Sequence, residues 1–206
     1  MKQDICHIVG AGEFDAQSFC PGPGDFVIAA DAGYRSLMER NLTPHLVVGD
    51  FDSLGKIPEG DQVIRLPVEK DDTDMMAALR LGVERGFREF RLWGGTGGRM
   101  DHTLANLQSL VWLSQRGCRG RLMDRNWTAF AVTDGTLRFG AAHRGTVSVF
   151  CVGDRAAGVW LRGLKYPLED AVLTCDFPLG VSNAFTGVES SITVGQGTLL
   201  VIEIKG

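Results

Sequence analysis

Residues 89–106 read EFRLWGGTGGRMDHTLAN. The run Glu89–Trp93 is short and apolar-rich, as a buried strand is, and the apolar spacing of Leu104, Leu107, Leu110, Val111 and Leu113 predicts a helix over Thr103–Gln115, ended by Gly117. Between them lies a glycine-rich connection, Gly94-Gly95-Thr96-Gly97-Gly98-Arg99-Met100-Asp101-His102. Such a strand-to-helix turn can wrap an anion with backbone N–H groups, and the helix N-terminus adds favourable potential. Arg99 adds a planar fork suited to phosphate oxygens. No Gly-Lys-Ser/Thr follows, and the glycines are not in the dinucleotide register, so neither of those phosphate motifs applies. His102 has two readings, a helix cap or a group acting in chemistry. Asp101 likewise either meets substrate or holds Arg99.

Outward from this stretch, the first ~120 residues alternate strand and helix signals, the pattern of parallel βαβ units. Strands are expected at Ile5–Val9, Phe26–Ala30, Leu46–Val48 and Gln62–Leu66, and helices at Tyr34–Arg40 and Thr73–Arg85. Near residue 120 the texture changes to short strands broken by glycines: Ala129–Val132, Thr136–Phe139, Thr146–Val152, Gly158–Leu161, Ala171–Thr174, Ser191–Val194 and Thr198–Ile204. The pair Asp134-Gly135 is a hairpin signal. The expected fold is an α/β parallel-sheet domain over 1–122 followed by an all-β sandwich or jelly-roll-like domain over 123–206.

Net charge is −4, which suggests no general affinity for nucleic acid. No apolar run approaches the ~20 residues of a membrane helix, and the N-terminus lacks a signal-peptide pattern. The five cysteines form no C-x-x-C pair and stand away from the histidines, so free thiols in a reducing cytoplasm are expected rather than a zinc site. The chain is therefore expected to be cytoplasmic.

The acids are unevenly placed. From Asp31 to Asp74 lie seven Asp and three Glu against five Lys or Arg. Asp50 and Asp52 follow Leu46–Gly49 at i and i+2 and project to one side if the chain stays extended, within reach of one hard cation. Asp31, after Phe26–Ala30, reads by itself as an N-cap for the helix through Tyr34. In Glu69-Lys70-Asp71-Asp72-Thr73-Asp74 the acids outnumber what capping needs. Asp74 is placed to reach a metal and Lys70 a phosphate. Together the turns suit metal-assisted phosphoryl or diphosphoryl transfer, without naming the acceptor.

The ordered set ADAG, PHLVVGDFDS, EKDDTD, GGTGGRMDHTLAN, VSNAF and GTLLVIEI resembles the thiamine pyrophosphokinase family along nearly the whole chain. The resemblance implies a Rossmann-like ATP-binding domain, a β-sandwich contributing to the thiamine site, and a homodimer with interfacial active sites. It implies transfer of diphosphate from ATP to the thiamine hydroxyl, giving thiamine diphosphate and AMP, with Mg²⁺ required. Position by position, Asp31, Asp50, Asp52 and Asp74 match the metal-binding acids. Lys70, Asp71, Thr73, Gly95, Gly98, Arg99, Asp101 and His102 match the nucleotide-binding loops. Of these, Asp50, Asp52, Asp74, Arg99 and Asp101 are expected to be catalytic. Ser182, Asn183 and Phe185 match the thiamine-facing motif, Phe185 from the partner subunit. An aromatic face suits a cationic thiazolium, whereas the residues alone read as a turn with one core aromatic.

Three positions depart from the family pattern: His45 replaces an acid, Ala32 a glycine and Lys70 a glutamine. The alternatives are a pterin-alcohol diphosphokinase, against which the SNAF region speaks; an aspartate-nucleophile phosphohydrolase, which wants a later lysine and acidic motif; and a non-catalytic nucleotide or thiamine sensor.

Overall fold

A computed structural model describes residues 4–51, 60, 62–67, 69 and 71–205. Asp52 and Lys70 lie outside the described residues, so the readings placed on them have no structural counterpart. The chain divides into two compact units, residues 1–109 with 120–125, and residues 110–119 with 126–206.

The first unit is built from β1 (Ile5–Val9), β2 (Phe26–Ala30), α1 (Gly33–Met38), β3 (Leu46–Gly49), β4 (Val63–Arg65), α2 (Asp74–Glu84), β5 (Glu89–Trp93), the first part of α3 (Met100–Ser114) and β6 (Arg119–Met123). The strands lie in the order β4-β3-β2-β1-β5-β6. β1 pairs in parallel with β2 and β5, β2 with β3, and β3 with β4. In the central strands both faces are covered, and Ile8, Ile28, Val48 and Leu92 have no exposure, while Arg65 of β4 is exposed and Glu89 and Arg91 of β5 are half-buried. The strand order turns back beside β1, between its neighbours β2 and β5. In open α/β sheets such a switch opens a crevice at the carboxyl ends of the strands.

A buried polar chain ties β1 to β5. The indole of Trp93 donates to Nδ1 of His7 (3.1 Å), and Nε2 of His7 faces Oδ2 of Asp25 (3.2 Å). An N–H arriving at Nδ1 puts the imidazole proton on Nε2, so His7 is neutral and donates to Asp25. Burial pushes its pKa below 6.5, against the pull of Asp25. Burial would raise Asp25, but N–H groups of Gly22 and Ile5, together with His7, outweigh it and lower its pKa.

The second unit contains β7 (Trp127–Thr133), β8 (Thr136–Phe139), β9 (Thr146–Arg162), β10 (Leu168–Thr174), β11 (Gly180–Ala184), β12 (Ser190–Thr193) and β13 (Gln196–Ile204). Among the described residues, β7 to β13 pair with one another only antiparallel. β9 was expected as two strands and is one, 17 residues long. Its first part pairs with β11 and β13 and its last part with β10 and β12. Gly153 and Gly158, with φ of +83° and +63°, let it bend between these partners. The Gly-Asp-Arg sequence there reads locally as a turn, but Val152 pairs with Thr198 before it and Arg155 with Thr174 at its end, so the strand runs on across an irregularity in the ladder to β13. A core of Phe130, Val149, Leu161, Phe185, Ile192 and Val201 fills this unit.

Other local differences have clear causes. α3 begins at Met100, three positions before the expected Thr103, so Asp101 and His102 lie in its first turn. An acid there complements the helix dipole. α1 is capped by Ala32 with no side-chain cap bond, so Asp31 does not serve as the cap. β6 and β11 were not expected as strands, since RGRLM and GVSNA carry weak β patterns and need their neighbours to form.

Candidate active site

The carboxyl ends of β1, β2 and β5 and the start of α2 surround a cleft of about 560 Å³. Two backbone turns form one wall. Gly10 N donates to Trp93 O (2.8 Å), Gly12 N to Gly94 O (2.7 Å) and Glu13 N to Thr96 O (2.8 Å), so the turns after β1 and β5 are laced together. Gly94 has φ +60°, and a Cβ there would meet Gly10 O at 2.4 Å. No other residue fits so close an approach.

Across the cleft are Asp31, which has φ +47°, and the start of α2. Thr73 caps α2, its hydroxyl accepting from Met76 N (3.2 Å), and Asp74 follows as the first helical residue. Asp31 N donates to Val48 O (2.8 Å), which holds the turn after β2 against the end of β3. Gly33 then runs against β1, where a Cβ would lie 1.9 Å from Val9 O.

The expected site residues separate into groups. Asp31, Thr73, Asp74, Gly95, Gly98, Arg99 and His102 all line this cleft. Asp50 is half-buried at the end of β3, next in the sheet to the Asp31 turn, but is not on the cleft wall. Asp71 is exposed ahead of α2. Asp101 is turned to Arg99: the guanidinium donates to both its oxygens, at 3.1 and 2.6 Å. That fork, with the His102 N–H, holds the Asp101 carboxyl below its ordinary pKa.

The i, i+2 geometry expected of Asp50 and Asp52 presumed an extended chain at Phe51, and Asp52 itself lies outside the described residues. The chain does not stay extended, because Phe51 sits at φ +62° with 2% exposure. A left-handed residue costs ~1–2 kcal/mol, and burying a phenyl ring returns ~1.5–3 kcal/mol. Packing of Phe51 with Val47, Leu37 and Trp93 decides the turn.

Ser182, Asn183 and Phe185 belong to the second unit and not to this cleft. Ser182 is exposed at φ +60°. The Asn183 amide is engaged by the backbone of Tyr166, accepting from its N (2.9 Å) and donating to its O (2.5 Å). Phe185 is 8% exposed and packs on Phe139 and His143. His45 accepts from Val27 N (3.0 Å) and stacks on Phe26, a structural use that explains a ring where an acid was expected.

The sequence reading passed over Gly10, Ala11, Gly12, Thr96 as an anchored residue, and Asn106. The signal for the first three was present: G-A-G directly after a buried strand. Asn106 gave none, since an asparagine inside a helix looks like any polar surface position.

Mg²⁺ takes hard oxygen ligands and is commonly held by one or two carboxylates plus substrate phosphates. Asp31 and Asp74 offer such oxygens on one cleft, and their donor chemistry fits that ion. Among the described residues no three acidic, His or Cys side chains form a ready-made metal cluster.

The architecture defines a class: an open parallel-sheet unit with a glycine- and carboxylate-lined cleft at its switch in strand order, followed in sequence by an antiparallel β unit. A family model described as thiamin pyrophosphokinase, catalytic domain, matches residues 23–122, and one described as thiamin pyrophosphokinase, vitamin B1 binding domain, matches 136–199. The solved thiamin pyrophosphokinase of Geobacillus thermodenitrificans is 30% identical, with a TM-score of 0.84 over 98% of each chain. The thiamine pyrophosphokinase structure from Bacillus subtilis has a TM-score of 0.86 at 24% identity, covering 98% of this chain and 99% of that one. A curated thiamine pyrophosphokinase of Bacillus subtilis strain 168 is 26% identical over 85% of each chain. This chain belongs to the thiamin pyrophosphokinase family.

Proposed function

We propose that this chain transfers the diphosphate of ATP to the hydroxyl of thiamine, releasing AMP. The observation that carries the reading is the meeting of two glycine turns, Arg99, Asp31 and Asp74 around one cleft in a chain of this family. Thiamine's alcohol oxygen forms a bond to the β-phosphorus, and the bond from that phosphorus to the α–β bridging oxygen breaks. AMP leaves with that oxygen, and the alcohol proton passes to a carboxylate or phosphate oxygen.

The peptide N–H groups of the turn after β5 receive phosphate oxygens, at positions fixed before the ligand arrives. Arg99, 74% exposed at its side chain and held by Asp101, is oriented to meet the triphosphate. His102, Thr73, Lys70 and Asp71 complete the nucleotide contacts. Asp31 and Asp74 on the cleft, with Asp50 and Asp52 as the further acids of the set, would hold Mg²⁺. When bound, that ion neutralises phosphate charge and orients the transferred group. Ser182, Asn183 and Phe185 form the thiamine-facing motif, in which Ser182 is exposed, Asn183 is held by the Tyr166 backbone and Phe185 packs in the core.

In this reading residues 1–122 are a Rossmann-like ATP domain and 123–206 a jelly-roll-like thiamine domain. The enzyme acts as a homodimer, supported by the exposed apolar side chains of Phe177, Leu179 and Val181. A cytoplasmic site of action is supported by five free cysteines. Among the described residues no helix is long and apolar enough to cross a membrane.

Incubation with Mg·ATP and thiamine tests the reading, and AMP with thiamine diphosphate is the expected product pair. ADP would mean single phosphoryl transfer, phosphate release without thiamine a hydrolase, and no turnover a binding protein. An acceptor screen including a pterin alcohol tests the choice of vitamin.

A further inference from the structure

Three consecutive carbonyls of the turn after β5 point to donors supplied by the protein. Gly94 O accepts from Gly12 N (2.7 Å), and Thr96 O from Glu13 N (2.8 Å). Between them Gly95 O accepts from the side-chain amide of Asn106 (2.8 Å). The backbone supplies the outer two donors, but a side chain supplies the middle one. Asn106 is 6% exposed and lies on α3, beyond the Arg99-Asp101-His102 segment.

A trans peptide directs its N–H opposite to its C=O, and among the described residues there are no cis bonds. Fixing the carbonyls of Gly94, Gly95 and Thr96 therefore fixes the N–H directions of Gly95, Thr96 and Gly97. Among the described residues none of these three N–H groups has an acceptor in the protein. Gly95 and Thr96 line the cleft and are buried. The Thr96 hydroxyl is spent on Asp124 (2.7 Å), which anchors the residue without using its N–H. Successive outward N–H groups make a concavity for anions. If the Gly95–Thr96 peptide turned over, its carbonyl oxygen would face the phosphates instead.

We infer that Asn106 is a positioning residue for polyphosphate: its amide holds the Gly95–Thr96 peptide so that consecutive N–H groups are presented to the ligand. The inference rests on the proposed use of this cleft for ATP. Asn106 acts through the loop and does not itself contact the reacting atoms.

Asn106→Asp keeps the shape but sets a carboxylate against Gly95 O, and Asn106→Ala removes the donor. Both are expected to raise the KM for Mg·ATP by about tenfold or more, as loss of a buried donor predicts, while the KM for thiamine stays within about twofold. Thermal melting is measured alongside. An unchanged KM for Mg·ATP, or equal rises in both KM values that track the loss of stability, would overturn the inference.

Should neither variant fold, the wild-type protein decides the matter. With tripolyphosphate added to ¹⁵N-labelled full-length chain, the Gly95, Thr96 and Gly97 amides are expected to shift and gain exchange protection. Their indifference to saturating tripolyphosphate would overturn the inference. If those amides respond but ATP and thiamine yield no AMP, the proposed reaction falls while the anion-positioning role stands.

Discussion

The cleft of the first unit and the SNAF strand of the second were both marked by sequence motifs, but the two motifs do different work. Around the cleft the marked residues contribute backbone shape and charge: Gly94 allows an approach no side chain permits, and the half-buried Asp31 and Asp74 line the cleft. On β11 and just after it the marked side chains are largely engaged by the fold, Asn183 by the Tyr166 backbone and Phe185 by the core. A motif therefore identifies a place in the chain before it identifies a contact. Where the physical demand is a turn or a charge, place and contact coincide. Where the demand is packing, they separate.

The sharpest test of this contrast is Phe185→Ala. Removing a buried phenylalanine is expected to cost ~3–5 kcal/mol of stability, measured by denaturant titration, with the thiamine KM rising more than the ATP KM. A stable variant with a purely kinetic defect would mean that Phe185 belongs to the pocket alone. Next, Asp74→Asn and Asp31→Asn are expected to slow AMP formation by about 10²-fold or more, as removal of a preorganised charge does, with little change in melting. Near-normal turnover would remove both from the metal and phosphate site.

Gly33→Ala tests the backbone side of the comparison. A methyl forced to 1.9 Å from Val9 O requires β1 or α1 to move, and an overpacked site of this kind costs ~1–3 kcal/mol. Melting temperature measures this directly, and an unperturbed melt would mean that the approach has slack.

The smallest effect concerns pH. His7, fully buried and held neutral, has a folded pKa below its ordinary 6.5. Below that value the unfolded chain binds a proton that the folded chain refuses, so the stability contribution is full above pH 6.5 and declines as pH falls through it. Asp25, also lowered from 3.8, adds a loss in the same direction at more acid pH. Urea titrations at pH 5.5 and 7.5 should show this decline, and His7→Gln should flatten it. A decline unaltered by the substitution would assign it to other groups.

The alternation of buried strands and helices, the change of texture near residue 120, and the glycine and aspartate turns were all legible in the sequence, because apolar periodicity and glycine report local demands. Asp74, Gly95 and Arg99 were found that way, Asp31 only through the family resemblance because its turn alone reads as a helix cap, and all four share one cleft. The single long β9, the turn at Phe51, the lacing of Gly10–Glu13 to Gly94–Thr96, and the bond from Asn106 to Gly95 were not legible. Each depends on partners distant in sequence. Tertiary packing chose among local conformations differing by one or two kcal/mol, a margin that a buried ring or one well-placed hydrogen bond is enough to reverse.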